Sequence, residues 1–178
     1  MYARVTAVGL LATLLLPSAR PAGRFDLQTS GAIQLVATGL EARYGVIPTE
    51  INGNPVISIS LGATSPRGSL ILSVSGSMIP PAGRYPVTSE WNSNEPIGAS
   101  FRASFVAGSV LHPKDSFRGE SGWVRITEKA PSHICGEFEV RARGFLASNP
   151  DDENQWVTVR GRFQAEGDHT TLENVSIQ

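Results

Sequence analysis

Apolar and polar residues alternate with a period of two along most of this chain. Ile33, Leu35 and Ala37 fall on one face, as do Ile57, Ile59 and Leu61. Leu70, Leu72 and Val74 repeat the spacing, and so do Phe101, Ala103, Phe105 and Ala107. Successive side chains of a strand point to opposite sides of a sheet, so each run predicts a half-buried strand. Between the runs stand Asn52-Gly53-Asn54-Pro55, Ser65-Pro66-Arg67-Gly68 and Pro80-Pro81-Ala82-Gly83, residue types that favour turns. Such punctuation interrupts every stretch beyond residue 20 before three helical turns could form, and no helix is expected there.

The clearest alternation lies in the last third. Ile134, Phe138, Val140, Ala142 and Leu146 are apolar, whereas Glu137, Glu139, Arg141 and Arg143 between them are ionic. Further on, Val157, Val159, Phe163 and Ala165 alternate with Thr158, Arg160, Arg162 and Gln164. Upstream, Val124 and Ile126 share a face. The loops joining these three runs are too short for a crossover, so the runs predict an antiparallel meander with one wet face. Residues 108–120 show no comparable pattern and read as a connection. The whole predicts an all-β, antiparallel sandwich of about eight or nine strands in a single domain spanning residues 20–178. A closed lipocalin-like barrel would alternate in the same way and is the alternative. The two differ inside: a barrel binder needs an internal cavity, whereas a sandwich core is filled to close-packed density.

The start of the chain has a different character. Arg4 precedes an uncharged run from Val5 to Leu16, which Pro17, Arg20 and Pro21 end abruptly. Twelve residues rise about 18 Å as a helix, well short of a bilayer core of roughly 30 Å. This pattern predicts a secretory signal peptide over residues 1–19, with cleavage after Ala19. The expected product is exported, periplasmic or extracellular, with no membrane span.

Composition narrows the function classes. The 178 residues carry 15 basic and 16 acidic side chains, for a net charge of -1. A chain so near neutrality is not an electrostatic nucleic-acid binder. Cys135 is the one cysteine, so no intramolecular disulfide forms. The preponderance of arginine over lysine points to a GC-rich, bacterial genome.

Candidate chemistry is sparse. His133 and Cys135 share a strand face and offer two metal ligands, but a structural zinc site takes four and no second cysteine exists. Neither a metal nor a cofactor is expected. Glu137 and Glu139 lie on the same face, about 6.5–7 Å apart along a strand, and paired carboxylates serve glycoside hydrolysis. Arginines on neighbouring strands are placed to pair with them, which favours a solvated charge ladder. Catalytic residues are therefore not predicted. Trp123 and Trp156 fall on the wet face among Arg125, Arg141 and Arg160. Such a group suits stacking on a sugar or aromatic ligand, or contact with a partner protein. Alternatively, the arginine stems simply cover the indoles.

Three segments carry a family resemblance: Ser121-Gly122-Trp123-Val124-Arg125-Ile126-Thr127, Gly136-Glu137-Phe138-Glu139-Val140-Arg141-Ala142, and Val157-Thr158-Val159-Arg160-Gly161-Arg162-Phe163. With the turn-strand Pro81-Ala82-Gly83-Arg84-Tyr85-Pro86-Val87, they resemble small exported bacterial β-proteins of unknown function. The resemblance implies a sandwich-like fold and export, and brings no catalytic residues. The function expected from the sequence is that of an exported, non-enzymatic binding or structural module. Its partner would be a glycan, a small ligand or another exported protein. A small-molecule-binding lipocalin-like barrel is the alternative, and a glycan-acting hydrolase comes third.

Overall fold

A computed structural model of the chain describes residues 23–167, apart from 52, 66, 92, 93, 110 and 111; the side chains of 48–51, 109, 112 and 113 are also excluded. The predicted signal segment, residues 1–19, lies outside the described residues. Ten strands form one sheet, with no helix among the described residues. They are β1 (Arg24–Gly31), β2 (Val36–Gly39), β3 (Ala42–Ile51), β4 (Asn54–Leu61), β5 (Gly68–Ser75), β6 (Gly83–Pro86), β7 (Phe101–Ser109), β8 (His112–Lys129), β9 (His133–Phe145) and β10 (Gln155–Gly167).

The fold is all-β and antiparallel, as the alternation predicts. The predicted meander is β8–β9–β10, paired antiparallel along most of its length. The strands without a run in the sequence reading are β1 and β3, and the run read at Ile33, Leu35 and Ala37 overlaps the short β2 only at Ala37. The segment read as a connection, residues 108–120, instead supplies the first half of β8. Phe117 in it is buried and pairs with Phe105 of β7, their ring centroids 6.1 Å apart. Its alternation is hidden by Gly119 and Ser116, whose lack of bulk the sequence cannot distinguish from a loop.

The pairings make a circuit. β3, β4, β5, β7, β8, β9 and β10 pair in turn. β10 then meets β3 in parallel through Glu166↔Arg43 and Gly167↔Tyr44. β1 and β2 extend the sheet from β10, and β6 lies against β8. One sheet thus walls a single core from all sides. Phe101, Phe105, Phe117 and Phe138 fill that core together with Leu27, Ile59, Leu61, Leu70 and Leu72. These side chains fill the space between the strands, as they do in a sandwich and equally in a small barrel.

Parity along the meander is as the sequence predicts. Ile134, Phe138, Val140 and Ala142 are buried, as are Val157, Val159, Phe163 and Ala165. Every ionic residue between them is left on the outer side, where the candidate chemistry stands.

Candidate functional site

Cross-strand partners on one face of a sheet stand side by side, so the register orders the outer face into rows. One row runs Trp123 on β8, Glu139 on β9, Arg160 on β10 and Gln28 on β1. The next runs Arg84 on β6, Arg125, Glu137, Arg162 and Asp26. From Arg125 to Asp26, and between Glu139 and Arg160, charges alternate across the strands and pair. Arg125 lies 3.3 Å from Glu137, Arg160 2.9 Å from Glu139, and Arg162 3.5 Å from Asp26. The two glutamates with hydrolytic spacing are therefore each occupied by an arginine, in an exposed charge ladder.

The tryptophans take their partners diagonally. The Arg84 guanidinium sits 4.4 Å from the centre of the Trp123 ring, and that of Arg141 4.3 Å from Trp156. Among the described residues neither Arg84 nor Arg141 forms an ion pair. Of the sequence candidates, then, Trp123, Arg125 and Arg160 join one patch with the glutamates. Trp156 and Arg141 form a separate stacked pair further along the same face. A shallow groove of about 430 Å³ crosses the patch, lined by Trp123, Glu139, Arg160, Gln28 and the exposed Val36.

A second site lies on the outer side of β5, β7 and β8. Arg102, the second residue of β7, is the charged residue of an otherwise apolar and small run. The connection leaving β6 folds back over it: Thr88 N donates to Phe101 O (3.0 Å), and Val87 bridges Phe101. Arg102 Nη1 donates to Thr88 Oγ1, to Ser100 Oγ (2.9 Å) and to Phe101 O (3.2 Å). Its guanidinium lies 4.3 Å from the centre of the Trp91 ring. Nε and Nη2 are buried and form no hydrogen bond; Glu95 Oε2 stands 3.6 Å from Nη2. Burial pulls the guanidinium below its ordinary value, with Glu95 and Glu90 working in the opposite sense. A pocket of about 340 Å³ opens here, lined by Trp91, Arg102, Ser73, Ser89, Ser104 and Ser116.

Sequence reasoning did not single out this group. The alternation places Arg102 on the polar face, but Trp91 and Glu95 sit among turn-forming residues with no periodicity. The available signal was a tryptophan within a polar connection, where nothing local calls for a large ring.

The site can hold a planar or polyhydroxylated ligand. It presents several serine hydroxyls, which both donate and accept, and an indole beside the Arg102 guanidinium. A buried N–H without a partner costs about 1–3 kcal/mol. Comparison of the chain with family models, curated proteins and solved structures finds no match to any of them.

Proposed function

We propose that the chain is an exported, non-enzymatic binding module and that its Arg102–Trp91 pocket takes a saccharide. Export rests on the uncharged run from Val5 to Leu16 and its abrupt end. The non-enzymatic reading rests on Glu137 and Glu139, each held by an arginine in the manner of a structural ladder. The observation that carries the binding reading is Arg102, which lines the pocket against Trp91 and whose Nε and Nη2 form no hydrogen bond, Nη2 being ion-paired with Glu95. A sugar's ring oxygens and hydroxyls match those donors and the surrounding serines. The pocket's size, about 340 Å³, is at the small end of ligand sites, fitting one or two sugar units. The Trp123 and Trp156 face is a second exposed surface of aromatic and guanidinium groups, suited to a longer chain of the same glycan.

The test is isothermal titration of the protein with a panel of neutral and acidic mono- and disaccharides. Saturable binding that is lost in Trp91→Ala and in Arg102→Lys, with the melting temperature retained, is the expected result. A panel without binders, or binding indifferent to both substitutions, overturns the proposal.

A further inference from the structure

The turn between β8 and β9 gathers three metal-binding side chains that the alternation alone would keep apart. The register of β8 against β9 slips by one residue here: Ile126 faces Gly136, whereas Glu128 faces Cys135. Thr127 is the surplus residue of a β-bulge. By simple alternation Glu128 would share the inward side with Val124 and Ile126; the bulge turns it outward, beside Cys135. Ala130 N donates to His133 O (2.9 Å), closing the turn and setting His133 on the same outer side. The Glu128 carboxylate, a His133 ring nitrogen and the Cys135 sulfur then lie within 4.8 Å of one another. Glu128 Oε1 is 3.4 Å from His133 Nε2.

We propose that Glu128, His133 and Cys135 form a binding site for a divalent transition-metal cation of borderline softness, such as zinc. Thiolate, imidazole and carboxylate together are a donor set that zinc takes and that magnesium or calcium does not. Bond lengths of about 2.0–2.3 Å place tetrahedral donors roughly 3.5 Å apart; Glu128 and His133 already stand at 3.4 Å, and the separations to the Cys135 sulfur, at most 4.8 Å, are what must close. Glu128, whose side chain is 61% exposed, is free to make that movement.

A separate observation points the same way. Glu166 of β10 stands opposite His133, and its Oε1 is buried without a hydrogen-bond partner. A buried carboxylate oxygen left unpaired is an unusual expense in a folded protein, and a nearby cation offsets it. When the cation binds, the thiol proton leaves to solvent and a metal–sulfur bond forms. Three protein donors leave one position for water. The site is remote from Arg102 in the fold and independent of the saccharide proposal.

The experiment is titration of the reduced protein with cobalt(II), then displacement of cobalt by zinc. Saturable binding with a thiolate-to-cobalt charge-transfer absorption is expected. Cys135→Ser should abolish that absorption, and His133→Gln and Glu128→Gln should each weaken binding at least about tenfold. Glu120→Gln, in the Arg118–Arg143 cluster elsewhere on β8, should leave it unchanged. Circular dichroism establishes that each variant is folded, and zinc should raise the melting temperature of the parent protein but not of Cys135→Ser. Absence of the absorption at saturating cobalt, or binding unaltered by His133→Gln, overturns the proposal.

Discussion

Phe138 and Phe163 stack inside the core with ring centroids 6.4 Å apart and planes inclined by 26°. Each ring also lies over a glycine directly opposite it: Phe138 faces Gly161, and Phe163 faces Gly136. A Cβ at Gly161 would come within 2.8 Å of Phe138 Cζ, and one at Gly136 within 2.5 Å of Phe163 Cζ. The two aromatic–glycine pairs run in opposite senses across β9 and β10, so neither strand has to make room for two rings at one level.

This interlock predicts unequal mutational costs along one strand. Phe138→Ala removes a buried ring and should cost about 3–5 kcal/mol. Gly136→Ala and Gly161→Ala overpack the same site and should cost about 1–3 kcal/mol or more, since backbone oxygens also crowd both positions. Glu139→Ala, one residue from Phe138 but on the wet side, should cost under about 1 kcal/mol. Urea melts of the four variants check this. Equal losses for Phe138→Ala and Glu139→Ala would overturn the assignment of faces.

The stacking of Arg141 on Trp156 is open to solvent, with Trp156 38% exposed. Exposed pairs of this kind contribute about 0.5–1 kcal/mol. A double-mutant cycle of Arg141→Ala and Trp156→Leu should return a coupling of that size. Because no carboxylate pairs with Arg141 among the described residues, salt should change it little. A coupling near zero would mean that the two groups sit together without holding each other.

Arg102 sets stability against binding. Two of its nitrogens are desolvated without hydrogen bonds, so an apolar side chain of similar length relieves a cost. Arg102→Met should therefore leave stability within about 1 kcal/mol of the parent, or raise it, while abolishing saccharide binding. A loss above about 2 kcal/mol in a denaturant melt would show that the bonds to Thr88 and Ser100 outweigh the desolvation.

Cys135 should be a sluggish thiol. Burial, together with Glu128 and Glu166, raises its pKa above the ordinary cysteine value of about 8.5, so the reactive thiolate forms only at higher pH. The rate of modification by an aromatic disulfide reagent should keep climbing as pH passes that value. Glu128→Gln removes a negative neighbour and should shift the profile to lower pH. A rate already level at neutral pH would contradict the described surroundings.

Much of this architecture was legible in the linear order of residues. The inward run from Ile134 to Ala142 and its ionic complement follow from a period of two, which is a local property of extended chain and needs no knowledge of partners. The wet-face placement of Trp123, Trp156 and their arginines came from the same count. Which guanidinium covers which indole did not, because Arg84 and Arg141 reach diagonally and the register that decides this belongs to the pairing of strands.

Three features were settled only by the assembled sheet. Glu128 reverses its side because β8 must absorb one extra residue to stay in step with β9, and a bulge leaves no mark in the alternation of one strand. Phe117 belongs to a strand because Phe105 is there to pair with it. Arg102 meets Trp91 because the chain after β6 folds back across β7, a closure governed by loop length and by what lies beneath. Periodicity reports a residue's side of the sheet; proximity between distant residues is a property of the fold.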